Sequence, residues 1–168
     1  MARIFITGSS DGIGQHIARN LIAQGHHVTL HARNASRAKD ASNGAPGAEG
    51  VLIGDLSTIS AIKKLAQDAN STGTFDAVIH NAGIGYGEGK KVTEDGIAHV
   101  FAVNVLAPYI LTALMERPKR LVYLSSGLHT GGDASLKDIA WRSGRRWSGM
   151  QAYSDSKYIS FPLIRLSR

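Results

Sequence analysis

Thr7-Gly8-Ser9-Ser10-Asp11-Gly12-Ile13-Gly14 is the stretch that decides the fold. Before it, Ile4, Phe5 and Ile6 form a short apolar run closed by glycine, which predicts a buried strand over 3–8. After it, Ile13, Ile17, Leu21 and Ile22 recur at near-helical spacing until Gly25, which predicts a helix over 12–24. A glycine-rich turn between strand and helix leaves helix N-terminal amides facing an anion. Gly8 permits the tight turn, Gly12 lets backbone approach a pyrophosphate, and Gly14 lets helix pack close to strand. No Gly-Lys-Ser/Thr follows, so this is not the phosphate loop of ATPases. The plainer alternative is a glycine-rich turn that holds no ligand.

The same alternation continues along the chain. Strands are predicted over 27–32, 50–56, 75–80 and 120–125. Helices are predicted over 36–40, 58–69 with Ser57 or Thr58 as N-cap, and 94–114 with a kink or break at Pro108. A Gly-, Ser-, Arg- and Trp-rich connection over 128–150 precedes a last helix from near Gln151 into Pro162. Nearly continuous apolar strands alternating with helices give an α/β, doubly wound parallel sheet with helices on both faces; the expectation is a Rossmann-like sheet of about five strands in the order 3-2-1-4-5. At 168 residues, against roughly 150 per domain, the expectation is one nucleotide-binding domain over 1–168.

Composition narrows the function classes. With 43% hydrophobic and 19% charged residues the chain is not a disordered one. No cysteine is present, which removes disulfides, thiolate metal sites and a cysteine nucleophile; no metal site is expected. No apolar run has the length of a membrane span, and the start lacks a signal-peptide pattern, so a cytoplasmic protein is expected. The net charge is +6; residues 1–115 carry nine basic and nine acidic groups, and 116–168 carry ten and four. The basic segment reads as a solvated tail attracting an anionic cofactor, with nucleic-acid binding as the rival and not the expected partner.

Two further patterns carry chemistry. Strand two ends His31-Ala32-Arg33-Asn34 with no carboxylate to bond a ribose 2′-hydroxyl, and Arg33 suits a 2′-phosphate. NADP(H) is therefore the expected cofactor, with NAD(H) as the alternative. Tyr153 and Lys157 stand four apart, on one face of a helix. A tyrosine ordinarily titrates near 10, and an ammonium alongside favours the phenolate, so such a pair exchanges protons with an alcohol or carbonyl oxygen. On their own, these two residues also fit an ordinary surface helix pair.

The spacing Thr-Gly-x-x-x-Gly-x-Gly, together with Asn81-Ala82-Gly83 and Tyr153-x-x-x-Lys157, resembles the short-chain dehydrogenase/reductase family. The resemblance implies an NADP(H)-dependent oxidoreductase acting on a small or lipophilic carbonyl or alcohol. It implies cofactor contacts from Gly8, Ser9, Ser10, Asp11, Gly12, Ile13 and Gly14, from Arg33 and Asn34, from Asp55 and Leu56 at the adenine, from Asn81, Ala82 and Gly83, and from Tyr153 and Lys157. It implies catalysis by Asn104, Ser126 (Ser125 as the alternate), Tyr153 and Lys157. It leaves room for a homo-oligomer.

The chain departs from the family's pattern twice. The insert 128–151 between Ser126 and Tyr153 is long and resembles the retinol-dehydrogenase-like branch, with His129 soon after the serines. Its Trp141, Trp147, Arg142, Arg145 and Arg146 suit either a substrate wall or stacking on nucleic acid; an exposed loop with tryptophans packed at its base is the plainer expectation. Only 11 residues follow Lys157, whereas one more βαβ unit needs about 30. The expectation is a C-terminally truncated member with an atypical tail over 158–168, in which Pro162 interrupts the last helix. A nucleotide-binding module without turnover is the rival reading.

Overall fold

The computed structural model describes residues 1–166, with side chains placed through Ile159. The last two residues of the tail lie outside the described residues. Five parallel strands form one sheet in the order β3-β2-β1-β4-β5. They are β1 (Arg3–Ile6), β2 (His27–Ala32), β3 (Gly50–Ile53), β4 (Ala77–His80) and β5 (Arg120–Tyr123). The register sets Ile4 against both Val28 and Ala77, which makes β1 the central strand.

Alternation along β1 builds the core on both sheet faces. Phe5 joins Leu65, Phe75, Val78 and Leu111 on one face. Ile4 and Ile6 join Ala18, Val28 and Leu30 on the other. The first face is covered by α3 (Ile59–Ser71) and the second by α1 (Gly12–Ala23) and α2 (Ala35–Gly44). In α3, Ile62, Leu65, Ala66 and Ala69 are all buried, the i, i+3, i+4, i+7 stripe of an amphipathic helix. Thr58 is its N-cap, accepting from the Ala61 amide at 3.3 Å. Gly25, at φ 82°, ends the turn after α1, a left-handed position that favours glycine.

The predicted helix over 94–114 begins only at His99, because 94–98 form a turn closed by a Val92–Ala98 bridge, and it is three pieces: α4 (His99–Phe101), a π-helical turn (Ala102–Leu106) and α5 (Ala107–Leu114). The Ala107 amide bonds the Ala102 carbonyl five residues back. The widened turn stands immediately before Pro108, which has no N–H to continue the α pattern. A 3-10 turn (Gly127–Gly131) follows β5, and α6 (Gly149–Leu166) is the last described element. Pro162 does not interrupt α6: losing the one amide that would bond the Tyr158 carbonyl does not end the helix. β5 is an edge strand with Val122 exposed. Among the described residues no helix is long and apolar enough to cross a membrane, and no cluster of His, Asp and Glu suits a metal ion.

Candidate functional site

The carboxyl ends of β1, β2, β3 and β4 open onto one crevice of about 710 Å³, where open α/β sheets take their ligands. Ten expected cofactor residues line it: Gly8, Ser10, Asp11 and Ile13 from the glycine loop, Arg33 after β2, Asp55 and Leu56 after β3, and Asn81, Ala82 and Gly83 after β4.

The loop is set by hydrogen bonds that a linear reading does not show. The Thr7 hydroxyl accepts from the Asn81 and Ala82 amides at 3.1 Å each. The Asn81 side chain donates to the carbonyls of Thr7 at 3.0 Å and Gly8 at 2.8 Å. Gly8 has φ 62°, and a Cβ there would stand 2.7 Å from the Ala82 Cα, so both backbone geometry and space demand glycine. A Cβ on Gly14 would collide with the Asn81 amide, so this glycine serves packing. At Gly12, φ is 53° and nothing lies within 4 Å of a Cβ position, so its backbone stands open.

His31 is the hidden organiser of the loop. Its Nδ1 accepts from the Gly8 amide at 2.9 Å, and Nε2 lies 2.8 Å from the Gly54 carbonyl. That pairing calls for the neutral ring with its proton on Nε2. Burial pushes the His31 pKa down, against the Gly54 bond and the Asp55 charge, which pull it up.

Of the sixteen expected contacts, Ser9, Gly12, Gly14, Asn34, Tyr153 and Lys157 are outside the crevice lining, and the side chains of Ser9 and Asn34 are committed elsewhere. Ser9 is fully buried; its amide donates to the His31 carbonyl at 3.1 Å and its hydroxyl to the Ile6 carbonyl at 2.9 Å. Asn34 caps α2, its Oδ1 accepting from the Arg37 amide at 3.0 Å. Sequence reasoning did not single out Arg37, His31, Glu88 or His99, which also line the crevice. The Arg33–Arg37 spacing, with a capping Asn34 between them, was the available signal for Arg37: it places the second arginine in the first turn of a helix that starts at the crevice.

Of the expected catalytic groups, Asn104 and Lys157 meet at Gly83, with Tyr153 beside Lys157. Asn104 sits in the π turn; its Oδ1 accepts from the Ile84 amide at 2.7 Å, and its Nδ2 donates to the Ile84 carbonyl and the Ser156 hydroxyl, both at 3.0 Å. A Cβ on Gly83 would lie 3.5 Å from the Asn104 Oδ1 and 3.6 Å from the Lys157 Nζ, so both groups converge on that glycine. Lys157 is buried, donates to the Leu124 carbonyl at 2.9 Å and lies 5.7 Å from the centre of the Tyr153 ring. Burial pushes the Lys157 pKa down. Tyr153 also meets Tyr86 edge-on, with ring centres 6.0 Å apart. Ser126 is the N-cap of the 3-10 turn, accepting from the Leu128 amide at 3.3 Å, and among the described residues its hydroxyl donates to no acceptor. Among the described residues no hydrogen bond joins Ser126 to Tyr153.

The insert is a largely exposed loop whose tryptophans pack at its base and which is tied to α6. Trp141 is buried beside Ala98, Val100 and Ala152, and Trp147 packs on the same cluster. Trp141 is therefore not presented to a nucleic acid base. Arg145 covers the Trp141 ring at 3.4 Å and donates to Asp155 at 2.9 Å. Asp155, buried between Tyr153 and Lys157 in sequence, also accepts from the Asp133 amide and the Gln151 side chain. Arg145→Met keeps an apolar cover on Trp141 and removes the counter-ion of a buried carboxylate. We expect a loss of about 2 kcal/mol, below the usual range for a broken buried pair because Arg145 is partly exposed. Urea unfolding read by tryptophan fluorescence measures it, since the chain's two tryptophans are both in the insert.

Comparison with known proteins bears on this arrangement. The family profile described as short chain dehydrogenase matches residues 2–121. The chain is 62% identical over 142 residues to an uncharacterized oxidoreductase of Emericella nidulans, covering 83% of this chain and 56% of that protein. It is 30% identical over 187 residues to human retinol dehydrogenase 14, covering 96% of this chain and 55% of that one. Among solved structures, a putative uncharacterized protein from Mycobacterium paratuberculosis superposes with a TM-score of 0.84 at 31% identity, covering 99% of this chain and 63% of the other. The chain thus spans little more than half the length of these curated relatives.

Proposed function

Because the chain belongs to the short-chain dehydrogenase family, we propose that it carries the cofactor site and catalytic residues of an oxidoreductase interconverting a carbonyl and an alcohol, with NADP(H) as cofactor. The observation that carries this reading is the single crevice lined by the ends of four strands, with Arg33 at one end and Gly83, against Lys157 and Asn104, at the other. Its volume is that of a small-molecule site, and the open backbone at Gly12 suits a pyrophosphate.

The bound nicotinamide would supply hydride transfer. Tyr153 exchanges a proton at its phenolic oxygen with the substrate oxygen. Ser126 holds that oxygen by donating a hydrogen bond. Lys157 places positive charge beside the phenol, held there by the Leu124 carbonyl. Asn104 ties the Ile84 backbone to α6 next to Lys157 and so fixes the inner wall. Arg33 is exposed, and among the described residues no ion pair engages its guanidinium. It reads the 2′-phosphate.

Calorimetric titration of the 168-residue chain with NADPH and then NADH tests the cofactor reading. One charge-assisted contact to the extra phosphate predicts NADPH binding tighter by roughly ten- to a hundredfold. Equal affinities would remove the role given to Arg33; no binding of either would remove the cofactor reading altogether.

A further inference from the structure

Arg37 is drawn toward the cofactor crevice but is already partnered there. Its Nη2 bonds the Ser10 hydroxyl at 3.1 Å and the Asp11 carboxylate; its Nη1 bonds Asp40 at 2.6 Å. Ser10, Asp11, Arg33 and Arg37 all line the crevice, whereas Asp40 is not part of its wall. The side chain of Arg37 is 29% exposed and that of Asp11 76%, so the pair is at the mouth and not in the core. Asn34, by capping α2 on the Arg37 amide, sets the helical turn that aims Arg37 back at the loop.

From this geometry we infer that Asp11 and Arg37 together set the preference between NADPH and NADH, with Asp11 as the resident counter-ion of a cation that the 2′-phosphate competes for. The inference rests on the cofactor reading above. A guanidinium has five N–H donors in a fixed fork and binds phosphate as readily as carboxylate. With Arg37 held by two carboxylates, the crevice presents Arg33 as its uncommitted cation near the end of β2. A 2′-phosphate arriving beside Arg33 competes with Asp11 for the Arg37 charge, and it meets the Asp11 charge as well. Both effects weaken NADPH and leave NADH, which has a hydroxyl at that position, almost untouched. Asp11 therefore lowers a selectivity that the two arginines raise.

The test is the ratio of NADPH to NADH dissociation constants in the full chain, measured by calorimetry at low salt. Asp11→Asn should tighten NADPH by about threefold or more, with NADH unchanged, an effect shrinking as salt screens the exposed carboxylate. Arg37→Gln should weaken NADPH by roughly tenfold and leave NADH unchanged, and Arg37→Lys should recover part of that loss. A merely structural Arg37 would weaken both cofactors together. Thermal unfolding of each variant checks that the fold is kept, and Asp11 is exposed enough that its substitution does not threaten it. If the wild type favours NADPH but Asp11→Asn leaves the ratio unchanged, or Arg37→Gln lowers both affinities equally, the inference fails while the cofactor reading stands. If the wild type binds neither cofactor, both fail.

Discussion

Tyr153→Phe should lower the rate of NADPH oxidation with a panel of small aldehydes and ketones by roughly 10²- to 10⁴-fold, the usual scale for removing a positioned proton donor, while NADPH affinity stays within about twofold, since no positioned charge is lost. The substitution takes away one oxygen. The ring keeps its edge-on contact with Tyr86 and its place beside Lys157. Among the described residues no hydrogen bond to the phenolic oxygen is formed, so nothing in the fold depends on it. The separation of turnover from affinity matters because Lys157 serves differently: its ammonium is buried on the Leu124 carbonyl and converges with Asn104 on Gly83, so Lys157→Met would disturb cofactor and fold together. A Tyr153→Phe variant as fast as wild type would sink the proton-transfer role. A wild type that binds NADPH but reduces nothing in the panel would leave this chain as a cofactor-binding module, and the oxidoreductase proposal would fail for it.

What the sequence disclosed, and what it hid, has a physical pattern. Strand β2 was legible to the residue, because its apolar run is bounded by Gly25 on one side and by the polar Arg33-Asn34 on the other. The parallel sheet followed from the alternation of strands and helices, whereas its order, which that alternation alone does not fix, matches the Rossmann-like one expected. Ten of the expected cofactor positions line the crevice because motif spacing fixes backbone position. Side-chain destinations were less legible. Ser9 and Asn34 have the right chemistry for a ligand, but their hydroxyl and amide are spent on Ile6 and Arg37. Nothing local marks His31: its partners Gly8 and Gly54 are both 23 residues away, so its role exists only once three strands are side by side. The 94–114 segment read as one kinked helix because its apolar residues surround it, and periodicity does not distinguish an α turn from the π turn that holds Asn104. The insert was legible as a loop, but its seat was not: the ion pair from Arg145 to Asp155 joins it to α6 through residues whose sequence marks neither as a partner.

Acidification from pH 7.5 to 4.5 should destabilise the fold steeply, ahead of ordinary carboxylate protonation, and His80 is the main cause. The ring is buried and stacked on Tyr123 with centres 4.8 Å apart; Nε2 lies 3.2 Å from the Thr112 hydroxyl, and Nδ1 has no partner among the described residues. Protonation would place a second N–H, and a charge, where nothing accepts them, and burial accordingly pushes the His80 pKa from 6.5 down to about 4. Between those values the unfolded chain binds a proton that the folded chain refuses. Stability is therefore whole above pH 6.5, falls as pH drops toward 4, and loses no more on this account below it. At ~1.4 kcal/mol per pH unit the full loss is about 3 kcal/mol. His31, whose pKa is also pushed down by burial, adds to the same slope. Asp76, Asp133 and Asp138 have pKa values held below the ordinary carboxylate value, Asp76 chiefly by Lys119, Asp133 by Ser135 and Asp138 by Ser143, so they titrate below this window; Glu88, whose burial is outweighed by Lys91 and His99 so that its pKa is held down, adds only at the acid end. Urea unfolding at pH 7.5, 5.5 and 4.5 measures the slope. His80→Phe keeps the stack on Tyr123, leaves the Thr112 hydroxyl its 2.7 Å contact with the Tyr123 hydroxyl, and removes the titration. Its stability should depend less on pH than the wild type's across the whole window, with the remaining slope belonging to His31 and, at the acid end, to Glu88. An unchanged slope would mean that the His80 ring is hydrated through Nδ1 and takes up its proton without cost.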